Sequence, residues 1–321
     1  MRVTSGMMSR NFLQNLNISQ ESLLNLQNEM SSGLRIQEPS DDPSGANKVL
    51  GLKTSLSMLT QTQTNATQAS SFMGTTDSTL SDVQSTLQRA YELAIQAAND
   101  TNTTSSREDI AAEIDQITKQ VGTLANTKYG DRYIFNGTST DQAPVDDTTS
   151  SNFASTYSPL TLDVGNGTTV NISVNGEDVF KNAPTAPSGV TYYGLLSSSS
   201  SPFDPSGSTP PGSSTGILDR LSYALRNGDS STISGAIDNI TACLDTISTE
   251  RATLGANVNR ITAISNQLTV ASTNLNSAIS SVQSVDMAQA ISNFESQQNT
   301  YQAALSVGAK IIQPSLVSFM S

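Results

Sequence analysis

Ile233, Ile240, Ile247, Leu254, Ile261, Leu268, Leu275 and Val282 recur at every seventh position without a break. A seven-residue apolar repeat sustained this long marks a helix that packs along one seam against other helices. The companion positions hold Ala236, Cys243, Glu250, Asn257, Ile264, Ala271, Ala278 and Val285. They are often small and twice polar, which favours close packing in a defined register. At about 1.5 Å per residue, such a helix is on the order of 80 Å long. A compact globule has no use for it.

The N-terminal half supplies matching stripes. Val49, Leu52, Leu56, Leu59, Ala66 and Met73 space one helix, and Leu80, Val83, Leu87, Ala90, Ala94 and Ala97 a second. Ile110, Ile114, Ile117, Val121, Leu124 and Lys128 space a third. Start signals precede each: Asp42 or Ser44, then Asp77, then Ser105-Ser106-Arg107-Glu108. The polar run Asn99 to Thr104 separates the last two. The expected fold is mainly α, an elongated helical bundle or coiled coil formed by both chain ends.

Between about 138 and 215 the pattern changes. Leu160, Leu162 and Val164 alternate, Gly165-Asn166-Gly167 turns, and Val170, Ile172 and Val174 alternate again, as a β-hairpin requires. The Ser/Pro/Gly tract from Ser197 to Gly216 reads as a linker back to the helices. A small β-rich domain is therefore expected as an insertion over 138–215.

The two ends carry stripes of their own. Leu13, Leu16, Leu23, Leu26 and Met30 lie near the start, and Ile291, Phe294, Tyr301, Leu305 and Ile312 near the end. The second set is out of phase with the preceding heptads, so a break is expected around Val285-Asp286-Met287. The resulting scheme has residues 1–40 with 286–321 as a terminal coiled coil, labile in the monomer. Residues 41–137 with 216–285 form a helical rod, and 138–215 the outer β domain. One helix pair cannot bury stripes this wide, so these ten residues are candidates for an assembly interface. A membrane-surface helix needs a basic face, and residues 11–30 contain no Lys or Arg.

Composition narrows the chemistry. Sixteen Lys and Arg against 28 Asp and Glu leave a net charge of −12, which argues against nucleic acid as a partner. There is no His, and Cys243 is alone, which excludes imidazole catalysis, an internal disulfide and a cysteine zinc site. No catalytic, cofactor or metal residue is expected. The pair Asp41-Asp42 between Pro39 and Pro43 has no third ligand at useful spacing and reads as a structural turn and helix cap. Cys243 falls on a seam position and reads as a small buried hydrophobe. Asn-X-Ser/Thr triplets, as at Asn65 or Asn171, follow from a composition rich in those residues, and no glycan is inferred from them. An enzyme in the insertion would have to use Asp146, Asp147, Asp163, Glu177 and Asp178, whose spacing suggests no paired site.

The stretch Met30-Ser31-Ser32-Gly33-Leu34-Arg35-Ile36, followed by Pro39-Ser40-Asp41-Asp42-Pro43, resembles the N-terminal signature of bacterial flagellin-like proteins. Leu87 to Asn99 is similar to the second helix of that family. The likeness spans residues 1–137 and 217–321. The form Pro-Ser-Asp-Asp-Pro, the run Arg132 to Thr138, Gly176-Glu177-Asp178-Val179-Phe180 and the terminal Pro314-Ser315-Leu316 are similar to members at the junction of hook and filament. The resemblance implies an extracellular structural adaptor, exported without a cleaved signal peptide by the flagellar type III apparatus with an export chaperone. It further implies a ring of identical subunits contacting hook-associated protein 1 on one side and flagellin on the other. The main alternative is a filament-forming flagellin.

Overall fold

The computed structural model describes residues 5–99, 102–145, 153, 157–165, 167, 169–181, 193–196 and 215–317. Among these the elements run α1 (Ser5–Ser32), α2 (Pro43–Ala97), α3 (Thr104–Ala125), β1 (Lys128–Tyr129), β2 (Arg132–Tyr133), β3 (Thr161–Asp163) and β4 (Thr169–Asn171), followed by a π turn (Glu177–Lys181), α4 (Ile217–Asn227), α5 (Ser230–Gln283) and α6 (Met287–Val317). The fold is mainly α with small antiparallel strands, in agreement with the sequence. It divides into two units, residues 1–60 with 269–321 and residues 61–268.

Within the unit 61–268, the apolar stripes meet in one core. Leu80, Val83, Leu87 and Ala90 of α2, Ile110, Ile114, Ile117 and Val121 of α3, and Ile233, Ile240, Ile247, Leu254 and Ile261 of α5 are all buried in it. Arg251 ties α5 to α2, with Nε donating to Asp77 Oδ1 at 2.9 Å and Nη1 to Gln84 Oε1 at 2.8 Å. The polar seam residue Glu250 is half-buried, and burial together with Asp178 pushes its carboxyl pKa up.

Two expected helix starts are corrected by the structure. The two stripes before and after Asp77 belong to a single helix, α2, with no start at Asp77. No proline lies inside this helix beyond its first residue, and Gly74 has open space around it. Asp77 therefore has nothing to cap, and its carboxylate pairs with Arg251 instead. The many Ser and Thr residues do not break the helix because their hydroxyls donate to carbonyls one turn back, as Thr76 to Phe72 at 3.0 Å and Thr79 to Thr75 at 2.9 Å. The third helix also starts earlier than its signals suggested. Thr103 is its N-cap, accepting from Ser106 N at 3.2 Å.

The inserted hairpin forms as its alternation requires, with Leu162 opposite Val170. Gly165 and Gly167 supply φ values of 95° and 72° for the turn. A second hairpin, β1–β2, closes at Gly130 with φ 61°. Phe135 and Phe180 meet edge to face at 5.1 Å, which anchors the π turn. The expected linker over 197–214 lies outside the described residues.

The unit of the chain ends is held by α1 against α6. Gly33, with φ 71°, ends α1 in the left-handed conformation. The chain after it is bonded to the break between α5 and α6: Arg35 N donates to Gln283 O at 2.8 Å and Val285 N to Gly33 O at 3.0 Å. Arg35 Nη2 also donates to Val282 O at 3.0 Å, and Gln283 Nε2 to Ile36 O at 3.1 Å. Asp286 then caps α6, accepting from Ala288 N and Gln289 N at 3.0 and 3.2 Å. The break foreseen at 285–287 is thus real, and both ends of the chain are clasped at it.

Candidate assembly surface of the terminal helices

The α1–α6 contact follows alternating spacings of four and three. On α1 the half-buried positions that follow it include Phe12, Leu16, Ser19, Leu23, Leu26 and Met30. On α6 they are Phe294, Gln297, Tyr301 and Ala304, extended by the buried Ala290 and Gly308. Gln297 Nε2 donates to Ser19 Oγ at 3.1 Å inside this seam. At Gly308 a Cβ would run into the Phe12 ring, so the glycine is what lets the helices approach there.

Of the residues named from the sequence, Leu16, Leu23, Leu26, Met30, Phe294 and Tyr301 lie in this seam. Leu13, Ile291 and Leu305 do not pair into it and stand 50%, 42% and 46% exposed. They sit one residue beyond a seam position, about 100° around the helix. The Ile312 side chain lies outside the described residues. The sequence reading missed Phe12, Ser19, Ala290, Gln297, Ala304 and Gly308. Their signal was the unbroken four-three spacing itself, obscured because several of its members are polar or lack an apolar side chain.

In an antiparallel pair, equivalent flanks of the two helices come to the same side. Leu13 and Leu24 of α1 share one flank by their spacing of eleven, and Met287, Ile291 and Leu305 share the equivalent flank of α6. All five are exposed. The opposite side is a more polar groove of about 560 Å³, lined by Ile18, Asn25, Glu29, Asn293 and Ser296 among others. Met58 and Val270, at 67% and 61% exposed, also belong to this unit. In the unit 61–268, by contrast, the large apolar side chains exposed among the described residues are Ile95 and Tyr129. An apolar surface concentrated in this way is characteristic of an interface awaiting its partner.

Pro39, Asp41, Asp42 and Pro43 form the turn between α1 and α2. Asp41 Oδ2 accepts from Gln37 N and Glu38 N, both at 2.9 Å, and these backbone bonds lower its pKa. Asp42 Oδ1 accepts from Gly45 N at 2.9 Å at the start of α2. A Cβ on Gly45 would meet the Asp42 carboxylate and the Ile36 side chain at 2.5 Å, so the turn is closed tightly around this residue.

The remaining acidic candidates of the insertion are engaged locally. Asp163 accepts from Gly165 N at 2.8 Å, Glu177 pairs with Lys181 at 2.6 Å, and Asp178 accepts from Asn175 at 2.6 Å. Asp146 and Asp147 lie outside the described residues. Cys243 is buried, and burial pushes its thiol pKa up to about 12, which keeps the reactive thiolate form scarce. Among the described residues no three Cys, Asp or Glu side chains group as a metal site, and no helix is long and apolar enough to cross a membrane.

A model of the bacterial flagellin N-terminal helical region matches residues 3–140, and one of the bacterial flagellin C-terminal helical region matches residues 237–320. The flagellar hook-associated protein 3 of Salmonella typhimurium is 27% identical over 95% of either chain. A flagellin of Clostridium tyrobutyricum is 26% identical over 98% of this chain and 99% of its own. The crystal structure of Bacillus cereus FlgL superposes on 72% of this chain and 99% of its own with a TM-score of 0.54 at 25% identity.

Proposed function

Because the chain belongs to the bacterial flagellin family, we propose that it is the structural adaptor joining the flagellar hook to the filament. The observation that carries this reading is the apolar flank of Leu13, Leu24, Met287, Ile291 and Leu305, left uncovered on the paired chain ends. Burying apolar surface is worth about 25 cal/mol per Å². A subunit that holds such a surface open on its own gains most of that stabilisation only on joining others. Full-length likeness to a hook-associated protein 3, together with the superposition on Bacillus cereus FlgL, supports the junction role.

In this reading residues 1–40 with 286–321 make the contacts that continue from hook to filament, and identical copies close into a ring. The helices over 41–137 and 216–285 meet hook-associated protein 1 on one side and flagellin on the other, and 138–215 faces outward. Delivery falls to the type III export apparatus and an export chaperone, and the place of work is extracellular. The role is architectural rather than enzymatic, and it needs no cofactor. Buried, bonded or reactivity-suppressed side chains at Cys243, Asp163, Glu177 and Asp178 support that assignment.

A second reading, bulk filament subunit, rests on the Clostridium tyrobutyricum flagellin of comparable identity. Immunogold electron microscopy with antibody against residues 138–215 separates the two. A single narrow band between hook and filament is expected. Label along the whole filament would replace the adaptor with a flagellin, and label confined to the cell body would overturn both.

A further inference from the structure

Asp219, in the first turn of α4, is only 6% exposed, and its Oδ2 has no hydrogen-bond partner. The helix packs on α3, and the ionisable group of α3 that acts on Asp219 is Asp115. Both oxygens of Asp115 are already committed. Oδ1 accepts from Ser222 Oγ at 2.5 Å and Oδ2 from Arg226 Nη2 at 2.6 Å, while Arg226 Nη1 donates to Ser222 Oγ at 2.8 Å. Arg220, the next residue in sequence, lies over the Tyr193 ring at 3.6 Å. The Asp219 carboxyl is thus enclosed beside a like charge whose own counter-ion is taken.

A buried, unpaired carboxylate is costly, whereas a neutral carboxyl in the same place costs much less. We propose that α4 is a proton-dependent latch on α3, seated while the Asp219 carboxyl is neutral and loosened when it ionises. Burial, with Asp115 as the lesser cause, raises the Asp219 pKa from 3.8 to about 7. The sign follows directly. The packed state holds its proton up to near neutrality and the opened state releases it above about pH 4, so the Asp219 contribution to the contact is fully present below about pH 4 and is lost as pH rises towards 7. Between those limits the ratio of seated to open α4 falls about tenfold per pH unit, and above them it levels off. The partial positive charge at the start of α4 opposes this shift but cannot replace a missing bonding partner for Oδ2.

The test is hydrogen exchange of the full chain across pH 5 to 8, following peptides from α4 and corrected for intrinsic exchange rates. In the wild-type chain, α4 protection should fall about tenfold per unit up to neutrality, and Asp219→Asn should flatten that dependence. Parallel slopes in the two proteins would overturn the latch. Should the variant fail to fold, a carbon-13 carboxyl titration of wild-type Asp219 decides: a midpoint near 7 sustains the proposal, and one near 3.8 ends it.

Discussion

Replacing Ile247 by alanine tests the central seam where it is most completely enclosed. Ile247 has no exposed surface and lies in the core that α2, α3 and α5 share. The change removes three carbons, worth about 0.8 kcal/mol each in transfer from water, or roughly 2.4 kcal/mol. The cavity left behind adds to that, because α2 and α5 cannot collapse at one residue without shifting their neighbours. The expected loss is about 3–4 kcal/mol, inside the range for buried aliphatic truncations. Leu275, four repeats further along the same stripe, is only half-buried. Its truncation should cost roughly half as much in the free subunit. Urea denaturation of both variants, followed by helical ellipticity, measures the two losses. An Ile247→Ala variant within about 0.5 kcal/mol of wild type, or equal costs at the two sites, would refute the account of a seam that is closed at one end and open at the other.

Gly308→Val should push the Phe12 ring out of the α1–α6 seam and lower helical content, with Phe12→Ala restoring part of it; circular dichroism of the single and double variants checks the pairing. Leu13→Asp with Leu305→Asp changes two exposed side chains, so melting should be unchanged while incorporation into flagella is lost; wild-type incorporation would remove that flank from the interface. Asp42→Ala deletes the acceptor of Gly45 N and should cost about 1 kcal/mol in a denaturation curve, with Asp42→Asn recovering most of it. Because burial takes the Cys243 thiol from 9.0 to about 12, an aromatic disulfide reagent at pH 8 should modify the native chain about a thousandfold more slowly than the unfolded one.

Much of this protein is legible from local periodicity. Each turn of a helix repeats the same geometry, so the sevenfold spacing from Ile233 to Val282, the phase change at Asp286 and the alternation about Gly165 determine helix, break and hairpin before any distant contact is known. What spacing cannot supply is the identity of the group across the interface. Asp77 carries the chemistry of a helix start, yet it lies in the middle of α2 and pairs with Arg251 of α5, 174 residues away. Ser19, Gln297 and Gly308 look like surface positions until α6 lies against α1, because a glycine or a bonded polar pair makes a seam as well as leucine does. Asp219 reads as a favourable acidic residue in a first turn, and only the packing of α4 shows it as a buried carboxyl with an unpartnered oxygen, its pKa raised by burial and by Asp115. Local pattern determines what each segment becomes; tertiary structure decides what each side chain meets, because desolvation and pairing depend on neighbours that the chain brings in from afar.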